Sequence, residues 1–275
     1  MCRALDQPTQ PRHHINVNFM NILHPLLLHP LRKTYWQCYH WLFPFTCVIC
    51  ADPTQRNLDL CLPCEQELPR INNACCHCAL PLTNTDMTIC GACLASPPPY
   101  DRTLALCYYQ QPLERLIINL KFHQRLLYAK VLGTLMTEYL IEFYADTALP
   151  ECIIPVPLHQ RRLRERGYNQ ALEIARPIHK YLKIPIDTHH CQRLRPTQAQ
   201  SGLHAKQRQD NVFQAFTVAT NFKPRHVAII DDVVTTGHTV AELSRVLRLA
   251  GVEQIDVWCC ARTKLDIVPK ISMRL

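Results

Sequence analysis

The chain has 275 residues, 48% of them hydrophobic and 19% charged, with a net charge of +8. That is long enough for two modest cores, and too apolar and too weakly charged for a disordered chain. The excess charge lies in the second part: 11 Lys/Arg face 11 Asp/Glu in residues 1–150, and 19 face 11 in residues 151–275. A cationic second part suits an anionic partner, a phosphorylated small molecule or a nucleic acid.

At the N-terminus, Leu26-Leu27-Leu28 is interrupted by His24, Pro25, His29 and Pro30. No stretch approaches the roughly 18 apolar residues of a membrane span, and no small-residue cleavage site follows. The expectation is a cytoplasmic protein without membrane insertion, with residues 1–42 a partly disordered extension and Met20 an alternative start.

Of 16 cysteines, eight form four Cys-x-x-Cys pairs: Cys47/Cys50, Cys61/Cys64, Cys75/Cys78 and Cys90/Cys93. Two residues between thiolates let one knuckle present both sulfurs to a tetrahedral ion, and a second knuckle closes a four-cysteine site. Eight ligands predict two structural zinc ions. Sequential pairing is expected, although the nearly equal gaps also permit an interleaved order. A redox role calls for one such motif opening a helix, not four in series. Cys76 and His77 lie inside the third knuckle as alternative ligands. The pattern predicts a zinc-ribbon module over 43–96, and Pro97-Pro98-Pro99 then makes a stiff linker to a second domain over 100–275.

In that second part, Thr103–Tyr109 reads as a strand. Pro112 opens a helix with Leu113, Leu116, Ile117 and Leu120 on one face, and a second helix runs from Leu127 to Tyr144. Cys152–Val156 reads as a buried strand, Asn169–Leu182 as a helix, Phe213–Val218 as a strand and Val227–Ile230 as a stronger one. A helix over Thr239–Ala250, stopped by Gly251, and a strand over Gln254–Cys260 close the series. Alternating strands and helices predict an α/β fold with a parallel sheet covered on both faces.

Val227–Ile230 would carry Asp231 and Asp232 to the carboxyl end of a buried strand, where ligands bind in open α/β sheets. Val233-Val234-Thr235-Thr236-Gly237-His238-Thr239 then leads into a helix whose start offers unpaired N–H groups, with threonine hydroxyls beside them and a glycine permitting close backbone approach. Such a turn can cradle a monophosphate, and the adjacent carboxylates suit hydroxyl groups or a divalent cation. Thr239 with Glu242 also fits a plain capping box. An ATPase reading fails because none of the six glycines is followed by lysine, as a phosphate-binding P-loop requires.

Asp231–Thr239 resembles the signature of type I phosphoribosyltransferases that binds phosphoribosyl pyrophosphate (PRPP). Together with the cysteine pairs, Leu120-Lys121-Phe122, Pro155-Val156-Pro157-Leu158-His159, Arg166-Gly167-Tyr168-Asn169-Gln170 and the Gln200–Phe216 segment with Leu203, Arg208 and Asn211, the chain is similar to the ComF/GntX family over Phe43–Thr263. The resemblance implies a type I phosphoribosyltransferase-like sheet of about five strands. It implies that Asp231 and Asp232 contact the ribose hydroxyls and that Thr235, Thr236, Gly237 and Thr239 hold the 5′-phosphate, with Val233 and Val234 completing the run. Pro157, Leu158 and His159, in a loop reaching Arg162, would take the pyrophosphate with Mg²⁺. Lys121, Arg166 and the Gln198–Arg208 loop would add phosphate contacts. His238 departs from the small residue usual after the glycine, the knuckles lack most of the customary Pro and Gly, and about 40 N-terminal residues have no counterpart. Two functions follow from the resemblance: phosphoribosyl transfer to an acceptor with pyrophosphate release, or a non-catalytic PRPP-sensing protein of natural transformation that engages single-stranded DNA or a DNA-uptake helicase-like partner.

Overall fold

A computed structural model of the chain describes residues 45–54, 56–123, 125–195 and 214–264. The N-terminal extension, Met20, the Gln198–Arg208 loop with Leu203, Asn211 and the first residue of the Phe213–Val218 strand lie outside the described residues. Packing divides the chain into two compact units, with the division between Gln66 and Glu67. The described part of the first unit holds a two-stranded antiparallel ribbon, β1 (Phe45–Thr46) and β2 (Pro53–Thr54), and a short helix α1 (Leu62–Gln66). The second unit contains the cysteines from Cys75 to Cys93 as well as the sheet. In it a short helix α2 (Gly91–Ala95) follows Cys90.

Four strands form the parallel sheet: β3 (Arg102–Tyr108), β4 (Cys152–Pro155), β7 (His226–Val234) and β8 (Gln254–Arg262), in the order β3-β8-β7-β4. A fifth position beside β4 is represented by a single parallel bridge, Ile153↔Ile186. Between β3 and β4 lie α3 (Leu113–Phe122) and α4 (Leu126–Phe143); α5 (Gln160–Arg166) and α6 (Gln170–Leu182) follow β4, and α7 (His238–Leu249) joins β7 to β8. A hairpin of β5 (Cys191–Arg193) and β6 (Phe216–Val218) stands apart from the sheet.

Alternation along β7 and β8 sorts the two faces. Val227, Ile229, Ile255 and Val257 pack with Val240, Leu243 and Leu247 of α7. The intervening residues Ala228, Ile230 and Trp258 are also fully buried, turned the other way by the period of two. Helices α4 and α6, packed on each other, cover that second face. The sheet is therefore buried on both sides, which explains why its strands read as continuous apolar runs. Because β4 leads to α6 on one face and β7 leads to α7 on the other, the loops leaving these two strands diverge at a topological switch point. That is where an open parallel sheet leaves room for a ligand.

Three expectations are corrected. Strand β7 does not stop at Ile230: Asp231 is paired with Cys259 and Val233 with Ala261, so the acidic pair is still in the ladder and the turn proper is Thr235–Gly237. The loop expected from Pro157 to Arg162 ends at His159, whose Nδ1 accepts a hydrogen bond from the Arg161 amide at 3.2 Å and caps α5. Glu242 makes no capping box. Its Oε1 accepts from the Gln214 amide at 2.9 Å and its carboxylate pairs with Arg245, and the residue before α7 is Gly237, in the left-handed region at φ 83°.

The contact between α4 and α6 depends on a missing side chain. A Cβ at Gly133 would lie 2.5 Å from the Ile174 carbonyl oxygen and 2.9 Å from Cγ of Pro177, the proline inside α6. Gly133→Ala gains about 1 kcal/mol of helix propensity but overpacks backbone against backbone, so a net loss of about 1–2 kcal/mol is expected. Urea unfolding measures it, and an unchanged or raised midpoint would contradict this packing.

Candidate functional site

The carboxyl end of β7 gathers the chemistry. Asp232 is 3% exposed. Its Oδ1 accepts from the Val233 amide at 2.7 Å and lies 3.0 Å from Nζ of Lys121, at the end of α3. Its other oxygen, Oδ2, is buried with no hydrogen-bond partner among the described residues, and Oγ1 of Thr236 is in the same condition. A buried carboxylate oxygen and a buried hydroxyl left unsatisfied are each costly, by about 1–3 kcal/mol. Both lie at the carboxyl end of β7 and the turn that follows it.

Asp231 points to the opposite face of the strand. Burial and the neighbouring Asp232 push its pKa up from 3.8 to about 7, against the opposing influence of Lys121, the Asp232 amide and Arg193. Arg193, on β5, lies over the Phe216 ring at 5.3 Å. Burial and then the proximity of Arg162 bring its pKa down to about 10, while Asp231 acts the other way. Burial and then Arg166 lower that of Arg162 in turn. Arg193 thus stands near Asp231, with Arg162 and then Arg166 following it in turn. Arg193 was not legible in the sequence, because only the β5–β6 hairpin brings it here and no spacing announces that hairpin.

The turn after the acids is shaped by Gly237, whose positive φ a Cβ would strain and where a Cβ would also lie 3.4 Å from the Tyr100 hydroxyl. Thr235, Thr236, Gly237, His238 and Thr239 are half-buried around the start of α7, where a helix carries the positive end of its dipole. Opposite stand Pro157, Leu158 and His159, half-buried, after β4. The Arg166–Gln170 motif supports this edge. Arg166 Nη1 donates to Gln170 Oε1 at 2.5 Å, Tyr168 donates to the Leu120 carbonyl, and Asn169 caps α6 through the Ala171 amide at 3.0 Å while Nδ2 donates to the Val156 carbonyl at 3.1 Å. Tyr168 and Asn169 thereby fix the ends of α3 and β4, the segments that carry Lys121 and Pro157–His159.

The cysteines assemble in sequential order, Cys47, Cys50, Cys61 and Cys64 in one cluster and Cys75, Cys78, Cys90 and Cys93 in the other, with the sulfurs of each within 4.8 Å of one another. Tetrahedral zinc with bonds of about 2.3 Å would place its sulfurs about 3.8 Å apart. The Cys50–Cys61 and Cys78–Cys90 sulfurs stand 3.7 Å apart, so both sets fit the ion. Hydrogen bonding from Cys78 pulls Cys75 down to about 4, and that same bond, followed by burial, pushes Cys78 far up.

Comparison with known proteins agrees. Residues 38–94 match the model of the double zinc ribbon domain. Over 80% of its length the chain is 36% identical to Competence protein F of Haemophilus influenzae, of which 98% is covered. The chain belongs to the ComF/GntX family. DNA utilization protein YhgH of Escherichia coli is another relative, 35% identical over 80% of this chain and 98% of its own. Among solved structures, the hypoxanthine phosphoribosyltransferase of Trypanosoma cruzi covers 51% of this chain and 68% of its own at 12% identity and a TM-score of 0.33. The purine phosphoribosyltransferase of Pyrococcus horikoshii covers 61% and 83% at 18% identity and a TM-score of 0.27. No helix among the described residues is long and apolar enough to cross a membrane.

The Asp231 environment has a pH consequence. Its folded pKa of about 7 exceeds the unfolded 3.8, so between those values the folded state holds the extra proton. Stability from this group is full below about pH 4 and lost as the pH rises through about 7. Asp231→Asn should therefore stabilise the ligand-free protein by about 1 kcal/mol or more at pH 8 and hardly at pH 4. Melting at both pH values measures this, and an equal effect at the two would contradict it.

Proposed function

We propose that this family member binds Mg²⁺-PRPP at the carboxyl edge of β4 and β7. One observation carries the reading: Asp232 Oδ2 and Thr236 Oγ1 are buried and unsatisfied at the same strand end, one an acceptor suited to a ribose hydroxyl and the other a donor suited to phosphate. Asp231 and Asp232 would take the ribose 2′ and 3′ hydroxyls. The Thr235–Gly237 amides, with the hydroxyls of Thr235, Thr236 and Thr239, would take the 5′-phosphate at the start of α7. Pro157, Leu158 and His159, with Arg162 beyond them, would approach the pyrophosphate, with Lys121, Arg166 and Arg193 as further cationic contacts. Mg²⁺ would neutralise charge on the diphosphate. If the bond at C1′ is cleaved, fixed cations and amides stabilise the departing pyrophosphate. The two cysteine clusters would each hold a structural zinc ion, and the cytoplasm, where PRPP is made and thiols stay reduced, is the compartment this reading requires.

A second reading, PRPP sensing without turnover in DNA uptake, is favoured by the exposed arginines Arg161 and Arg164 on α5 and by the names of the relatives. Single-stranded DNA or a helicase-like protein would be the partner. Pyrophosphate release on adding acceptors separates the two, and both require the same site.

Calorimetry with Mg²⁺ and PRPP tests that site. Asp231→Asn with Asp232→Asn removes the charges at nearly constant size, and Thr236→Val removes a phosphate donor. A charge-assisted hydrogen bond is worth roughly 1.5–3 kcal/mol, so each variant should bind PRPP about tenfold or more weakly. Wild-type affinity in both folded variants would reduce the turn to a βα corner.

A further inference from the structure

Three successive carbonyls of the third cysteine knuckle are held by the α/β unit. The Cys76 carbonyl accepts from the Thr103 amide at 3.0 Å, that of His77 from Thr103 Oγ1 at 2.5 Å, and that of Cys78 from Arg262 Nε at 2.7 Å. Arg262 is the last residue of β8 and 2% exposed. Its Nη1 donates to the Val234 carbonyl at 3.0 Å and to the Thr235 carbonyl, and reaches that of Thr263 at 3.2 Å. One buried guanidinium therefore spans a backbone carbonyl of a cluster cysteine and the two carbonyls that open the Thr235–Gly237 turn.

A peptide whose carbonyl is drawn inward turns its amide the other way. By holding Val234 and Thr235, Arg262 fixes the direction in which the next amides face, which is the geometry an anion reads. Its hydrogen-bond acceptors among the described residues are backbone carbonyls, and its planar fork is what lets Nε and Nη1 serve two segments at once; a lysine ammonium, a point donor on a flexible stem, cannot reproduce that span. The Cys78 carbonyl in turn is placed by the knuckle, whose shape an ion in Cys75, Cys78, Cys90 and Cys93 would hold. On the other side of the turn, Tyr100 stands against Gly237, and its segment is pinned to α7 by Arg248, which bonds the Pro99 carbonyl at 3.0 Å and Asp101 Oδ2 at 2.6 Å.

We propose that Arg262 is a positioning residue joining the second cysteine cluster to the phosphate turn, so that an ion in that cluster and a phosphate ligand at the turn stabilise one another. The inference rests on PRPP binding at the turn. Linkage is reciprocal: a ligand held better by the ordered turn must tighten the binding of the ion that orders it, and slower loss of that ion is the expected kinetic sign. The Cys47–Cys64 cluster, in the other compact unit, is the internal control.

The experiment follows zinc transfer from the full-length, zinc-loaded protein to a colorimetric chelator, with and without saturating Mg²⁺-PRPP. A Cys50→Ser variant identifies the phase that belongs to the first cluster. In the wild type, PRPP should slow the second-cluster phase about tenfold and leave the first unchanged. Arg262→Lys, which keeps the charge, should weaken PRPP binding about tenfold and abolish the slowing. Wild-type protein that binds PRPP while both phases stay unaltered overturns the inference and leaves the ligand site standing, and so does an Arg262→Lys protein that keeps the slowing. If Arg262→Lys loses its fold, the wild-type comparison alone decides. Absence of PRPP binding to the wild type would overturn the site reading, and this inference with it.

Discussion

Nine residues of β7 run parallel to β8 from His226↔Gln254 to Val234↔Arg262, and this ladder determines where everything else can stand. Because pairing continues past Ile230, Asp231 and Asp232 are held as strand residues on opposite faces of a buried sheet. One is directed toward Lys121 of α3 and the other toward the β5–β6 hairpin that carries Arg193. Had the strand ended before them, the acids would share a loop and separate freely. The ladder instead fixes two adjacent carboxylates at the edge, and their mutual repulsion becomes a standing feature of the unliganded protein.

That repulsion is only partly relieved. Lys121 pairs with one oxygen of Asp232, and the other has no hydrogen-bond partner among the described residues. Asp231 is left with a raised pKa, through burial first and Asp232 second, despite nearby cations. On the proposed reading, hydroxyl donors or a divalent cation would satisfy both residues. The same ladder ends at Arg262, whose guanidinium ties the turn after the acids to a cysteine knuckle. The acid pair, the turn and the second cluster are consequently neighbours of one strand end, although they lie far apart in the sequence.

Much of this was legible from residue patterns. The periodicity of Leu113, Leu116, Ile117 and Leu120 marks α3, and all four are buried; the cysteine spacing gives the eight ligands, while their sequential grouping over an interleaved one comes from the structure; the apolar runs give the sheet. The failures have physical causes. Aspartate is depleted in strands, so a reading by propensity stops β7 at Ile230, while cross-strand pairing carries it four residues further. Helix α5 has seven residues and buries none of them, so it offers no apolar stripe to find. Strand β5 is three residues long, and the hairpin that delivers Arg193 is a tertiary fact. By packing the second cluster shares a compact unit with the sheet, while the double zinc ribbon model spans both clusters as one domain.

The central claim, that the strand end of β7 and the Thr235–Gly237 turn form one ligand site, is tested most directly by a crystal structure of the full-length protein with Mg²⁺ and PRPP. The account predicts the 5′-phosphate against the amides of Thr235, Thr236 and Gly237, and the ribose hydroxyls on Asp231 and Asp232, with Asp232 Oδ2 and Thr236 Oγ1 both partnered by ligand. PRPP bound away from this edge, or a saturated crystal with those two atoms still unsatisfied, would contradict it.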